Sequence, residues 1–129
     1  KNPVDVIGDA RHDRYRAALD AVTADDQVDQ VLVIVTPQTM TDVTEIAEVI
    51  GETKEFCQKP MAACLMGLTD VSLGVDLLQR KYGVPTFAFP ENAMHAMAAQ
   101  SKFAEWLDLV AMSIRISLKK DLKQKISDI

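Results

Sequence analysis

The residues best suited to chemistry lie in one stretch, Thr36-Pro37-Gln38-Thr39-Met40-Thr41-Asp42. Three hydroxyls and one amide side chain stand between an apolar run and the start of a helical pattern. A helix start presents unpaired N–H groups and a partial positive charge. Threonine hydroxyls beside such groups make a cradle for a phosphate. The same residues admit a plainer reading. Thr39 and Asp42 have the spacing of a capping box, and the Asp42 carboxylate could itself occupy the free amides and repel a second anion. Composition leaves both readings open.

The remaining reactive side chains offer less. His12 falls in a turn among charges and reads as a solvated loop residue. His95 shares the polar face of the last helix with Glu91, Lys102 and Glu105 and reads as exposed. No Ser/His/Asp or Cys/His spacing is present, and no carboxylate pair is placed for acid–base work. The residues thus name no catalytic group. Cys57 and Cys64 are not a CxxC pair and lack His neighbours at ligand spacing, so two buried thiols are expected rather than a metal or redox site. The 129 residues carry a net charge of −5, spread unevenly: residues 112–129 sum to +3 and the rest to −8. An acidic body disfavours nucleic acid, which needs a basic face. No apolar run reaches the length of a membrane span, no signal peptide is visible, and a cytoplasmic location is expected.

The elements that must position the Thr-rich stretch follow from periodicity. Hydrophobic residues make up 48% of the chain, enough for one folded domain with a real core. Val4–Ile7 reads as a short strand before the Gly8-Asp9 turn. Tyr15, Ala18, Leu19 and Val22 mark one face of a helix, capped by Asp9 or Asp13. Val28–Val35 reads as the central strand: Val31-Leu32-Val33-Ile34-Val35 is apolar without interruption, as in a strand buried on both faces. Pro37 forces the chain out of the sheet. A helix over Asp42–Phe56 turns Val43, Ile46, Ala47 and Ile50 inward, with Gly51 a weak point within it. Met61–Met66 is a strand, and Val71, Gly74, Val75, Leu78 and Tyr82 face one way on a helix that Gly83 ends. Val84–Phe89 is a short strand, and Pro90 starts the last helix. The order β-α-β-α-β-α-β-α calls for an α/β fold with a parallel sheet and helices on both faces. The last helix keeps an apolar stripe from Ala96 through Phe103, Trp106, Leu107, Val110 and Ile114 to Ile126. Unbroken to Ser127, it would be about 55 Å long. Residues 1–111 are therefore read as the domain and 112–129 as a basic amphipathic tail or linker, expected to pack against another domain or subunit.

Three stretches carry a resemblance. Asn2-Pro3-Val4-Asp5 with Gly8-Asp9-Ala10, then Leu32-Val33-Ile34-Val35-Thr36-Pro37-Gln38 with Met40-Thr41-Asp42, then Gly83-Val84-Pro85-Thr86-Phe87 with Phe89-Pro90-Glu91, resemble in this order the NDP-forming acyl-CoA synthetases. These are the ADP-forming acetate–CoA ligases and the succinyl-CoA synthetases. The likeness covers about residues 2–107 and is to the second flavodoxin-like ligase domain. It implies a three-layer flavodoxin-like fold lacking its first strand and helix, hence an incomplete sheet. It also implies a reaction in which acid, CoA and ATP give acyl-CoA, ADP and phosphate by way of a phosphohistidine held between two helix N-termini. One of those helices follows the strand ending at Thr36-Pro37-Gln38. The resemblance thereby points to Thr36, Pro37, Gln38, Thr39, Met40 and Thr41 as phosphate-binding residues. The phosphorylated His of the family sits in a Ser-His-Thr-Gly context that is absent here, so neither His12 nor His95 inherits it, and the chain is not expected to catalyse alone. The partners implied are a His-bearing ligase domain, a CoA-binding domain and an ATP-grasp module, with a homo-oligomer expected. CoA, ATP or ADP and Mg belong to the complete enzyme, with no cofactor or metal held tightly by this chain. Two other functions are weighed: a regulatory, acyl-CoA-sensing module fused to an acetyltransferase, and an FMN-binding flavodoxin-like domain. The latter lacks flanking aromatics to sandwich a flavin.

Overall fold

The computed structural model describes residues 2–38, 41–67 and 70–127. Among them are α1 (His12–Ala24), β1 (Val31–Val35), α2 (Val43–Phe56), β2 (Met61–Leu65), α3 (Ser72–Asp76), β3 (Thr86–Phe87) and α4 (Pro90–Ser127). A π-helical turn, Leu77–Lys81, continues α3. The three strands form one parallel sheet in the order β1-β2-β3. This is the expected α/β architecture, an incomplete parallel sheet with helices around it and a long C-terminal helix.

The chain divides into two compact units, Lys1–Met97 and Ala98–Ile129. The first holds the sheet. Its fully buried side chains include Ile46 and Ile50 of α2, Val35 of β1, Cys64 of β2, Leu78 of the π turn and Val84. Each aliphatic member contributes about 1.5–3 kcal/mol by leaving water. Helix α1 packs on α2, and α2 on α3 and the π turn. Gly83 ends the π turn at φ 63°, a left-handed conformation that suits glycine. In the second unit, residues 98–127 are helical, and Phe103 and Trp106 stack with ring centroids 5.8 Å apart. The apolar stripe continues in this unit as exposed Leu107, Ile114, Leu118, Leu122 and Ile126. No helix among the described residues is long and apolar enough to cross a membrane.

Four expectations are corrected. First, β1 is shorter than Val28–Val35, and it is an edge strand rather than the central one. Val31, Val33 and Val35 are buried, but Ile34 is 45% exposed. The central strand is β2, Met61-Ala62-Ala63-Cys64-Leu65, buried at every position. A run of five apolar residues does not say whether strands pair with both edges or helices cover both faces, because both depend on distant sequence.

Second, Val4–Ile7 joins no sheet, and its last residue has φ 69°, outside the extended range. The Ile7 amide donates instead to Asp5 Oδ1 at 2.8 Å. Third, neither Asp9 nor Asp13 caps α1. Its N-cap is Arg11, with no side-chain bond, and Asp13 lies inside the first turn. Fourth, of Val84–Phe89 only Thr86 and Phe87 take strand register with β2; the Pro85 carbonyl accepts from the Ala63 amide at 3.0 Å, and Pro90 starts a helix close behind.

Candidate functional site

Parallel strands bring their carboxyl ends to one edge of the sheet, and ligands of such sheets collect there. The Thr-rich loop leaves β1 at this edge. Pro37 is buried, and a methyl group on Gly67, just past β2, would lie 3.2 Å from Pro37 Cγ. The loops after the two strands therefore touch. A methyl on Gly8 would lie 3.3 Å from Gln38 Nε2, so the Gly8-Asp9 turn reaches the same edge. Thr36 and Gln38 are exposed and Thr41 is half-buried. Thr39 and Met40 lie outside the described residues.

The loop closes on itself. The Gln38 amide donates to Thr41 Oγ1 at 3.0 Å, and the Thr41 amide donates to the Gln38 carbonyl at 2.9 Å. Asp42 then caps α2: its Oδ1 accepts from the amides of Thr44 at 3.0 Å and Glu45 at 3.1 Å. The capping role allowed by the sequence is thus filled by Asp42. Its carboxylate sits where an anion at this helix start would sit.

One pairing here was not legible in the sequence. His12 is the first residue of α1, and its Nδ1 lies 2.7 Å from Glu45 Oε2 in the first turn of α2. Both side chains are about half exposed. The two residues stand 33 positions apart, so no local pattern joins them. His12 is therefore partnered rather than merely solvated. Glu45 adds a second negative charge beside the helix start, and His12, when protonated, offsets it.

Further groups near this edge are held by their surroundings. Asp70 accepts from the Ser72 amide at 2.9 Å, and the bonds from the Ser72 backbone and hydroxyl hold its carboxyl below the usual range. Cys64 is fully buried on β2. Burial, with the Glu91 charge second, raises its thiol above the ordinary value. Cys57 is buried as well, and neither cysteine is in a disulfide. His95, on α4, is exposed and outside this group.

No family model matches the chain. Three known proteins are similar to it. It is 34% identical over 107 residues to a 4-hydroxybutyrate–CoA ligase (ADP-forming) of Nitrosopumilus maritimus, covering 83% of this chain and 15% of that protein. It is 31% identical over 121 residues to an acetate–CoA ligase (ADP-forming) I of Archaeoglobus fulgidus, covering 94% and 16%. It is also 31% identical over 108 residues to the acetate–CoA ligase (ADP-forming) I subunit alpha of Pyrococcus furiosus, covering 82% and 23%. The chain thus spans less than a quarter of the length of each of these relatives. It belongs to the ADP-forming acyl-CoA ligase family and corresponds to a part of such an enzyme.

Proposed function

We propose that the chain works as one domain of an ADP-forming acid–CoA ligase and supplies half of a phosphoryl-binding cradle. The supporting observation is one of position. The loop Thr36–Thr41 joins the carboxyl end of β1 to the start of α2, in a chain whose relatives are ADP-forming ligases. In this reading Thr36, Pro37, Gln38, Thr39, Met40 and Thr41 are the phosphate-binding stretch, with the threonine hydroxyls and the Gln38 amide as donors to the phosphoryl group. The helix N-terminus of α2 contributes its dipole. A histidine on another domain carries the phosphoryl group between acyl phosphate and ADP. CoA-binding and ATP-grasp parts complete the enzyme, with CoA, nucleotide and Mg bound there.

The Asp42 cap sets a condition on this reading. Because Asp42 Oδ1 already holds two amides, an arriving phosphoryl group displaces that carboxylate or binds beside it through Gln38 and the threonines. The test is phosphohistidine formation in the complete enzyme carrying Gln38→Ala and Thr39→Ala together. A lost cradle donor at a developing or transferred charge costs on the order of 10²-fold. The expected result is a fall of that size. Phosphohistidine formation at the unaltered rate would remove the cradle assignment.

A further inference from the structure

Two carboxylates already stand at the start of α2. Asp42 caps the helix through Oδ1. Glu45, whose amide is one of the two that Asp42 holds, adds its own carboxylate in the same turn. A phosphoryl dianion in the Thr-rich loop would meet both. Juxtaposed like charges cost affinity unless a cation offsets them.

The other charged groups on the elements that meet here are few. Asp9 is paired with Arg14, whose guanidinium also donates to the Val6 carbonyl. Asp5 accepts from the Ile7 amide. Arg11 stands at the N-cap of α1 and Asp13 in its first turn. On α2, Glu48 follows Glu45 by about one turn, and Glu52 is paired with Arg16. His12 bonds to Glu45 itself, through Nδ1. It follows the Gly8-Asp9 turn, which lies against Gln38 of the loop. Of all these side chains only histidine changes charge between about pH 5 and 8. With its Nδ1 proton donated to Glu45, neutral His12 carries its lone pair on Nε2. No described residue bonds to Nε2, and the side chain is 46% exposed. That nitrogen is open to a proton and to a ligand.

We infer, on the reading that the Thr-rich loop holds a phosphoryl group, that His12 is the countercharge for it. Binding draws one proton from solvent onto Nε2. The imidazolium then serves Glu45 through Nδ1–H and the anion through Nε2–H. Occupancy of the loop and protonation of His12 favour each other, because linked equilibria are reciprocal. The phosphoryl group is held tighter on the acid side of neutrality and released more readily above it. Arg11 has a fixed charge over this range and gives no such dependence. His12 thereby joins Gln38 and the threonines as a binding group, although it lies on α1 and far from them in sequence. A pair that only tied α1 to α2 would leave anion affinity independent of the Glu45 charge.

The test is sulfate binding by the full natural polypeptide, since inorganic sulfate stays dianionic throughout the range. The sulfate that counts is the portion lost in Gln38→Ala with Thr39→Ala. Calorimetry in buffers of different ionisation heat gives the protons taken up for each sulfate bound. Uptake is expected in the unaltered protein and absent in His12→Asn. Between about pH 6 and 8 the affinity should fall about tenfold more in the unaltered protein than in His12→Asn. Glu45→Gln added to His12→Asn should recover part of the lost affinity, because it removes the charge that His12 offsets. Equal proton uptake in His12→Asn overturns the inference while leaving the loop as the site. A double variant no tighter than His12→Asn overturns it too, in favour of a pair that only joins the helices. Sulfate binding that is absent, or untouched by Gln38→Ala with Thr39→Ala, counts against the cradle itself and overturns both.

Discussion

Asp42 holds the start of α2 with one carboxylate oxygen shared between two amides. Replacing it with alanine is expected to cost about 1 kcal/mol, and Asp42→Asn much less, since asparagine caps nearly as well; chemical denaturation measures both. Cys64 makes a different prediction, through pH. Its thiol is raised from 9.0 mainly by burial, so the folded state favours the neutral form. The resulting stability is complete below the unfolded thiol value and declines as pH rises through 9.0 and beyond. Tyr15, raised from 10.0 by burial, adds a second decline starting at higher pH. Denaturation midpoints across the alkaline range should lose the earlier decline in Cys64→Ala and keep the later one. An unchanged profile would show that Cys64 does not titrate differently on folding.

Among the elements, α2 is the best example of what local pattern specifies. Its stripe Val43, Ile46, Ala47 and Ile50 is buried as the spacing requires. Gly51 is its one unfavourable residue, and the structure supplies the reason. A methyl there would lie 2.0 Å from Tyr82 Cδ2, because the Tyr82 ring rests on the bare helix backbone. Gly51→Ala should therefore destabilise by about 1–3 kcal/mol through overpacking, despite better helix propensity. Gly51→Ala combined with Tyr82→Ala should show a smaller penalty than the two single losses added together, as thermal or chemical denaturation would report. The start of α2, the buried thiols and the position of the Thr-rich loop were legible because short-range periodicity and turn residues fix them. The edge position of β1 and the His12–Glu45 pair were not, whereas the lack of a strand beside Val4–Ile7 follows from the incomplete sheet that the resemblance implies. The edge and the pair each depend on which remote segment lies alongside, and Val31–Val35 reads alike as an edge or a centre. The loop itself was legible as an anion cradle or as a cap, and the Asp42 bonds fill the cap.

For the molecule as a whole, charge and apolar surface are separated along the sequence. The helical unit Ala98–Ile129 carries most of the exposed large apolar side chains, whereas soluble monomers seldom expose large contiguous patches. Trp106, the single tryptophan, is 54% exposed. Its fluorescence in this chain should be red-shifted and freely quenched by acrylamide. Addition of the remaining ligase parts should shift the emission to shorter wavelength if they cover it, and blue, quencher-resistant emission from the chain alone would contradict the exposure. The π-helical turn has a bearing on how the sequence can change over time. Such a turn closes over one residue more than an α turn. Loss of one exposed residue in Leu77–Lys81, such as Arg80, would return the stretch to ordinary α geometry with Gly83 still in place to end it. Insertions and deletions in descendants of this chain should then gather between Asp76 and Gly83 and spare the sheet on either side.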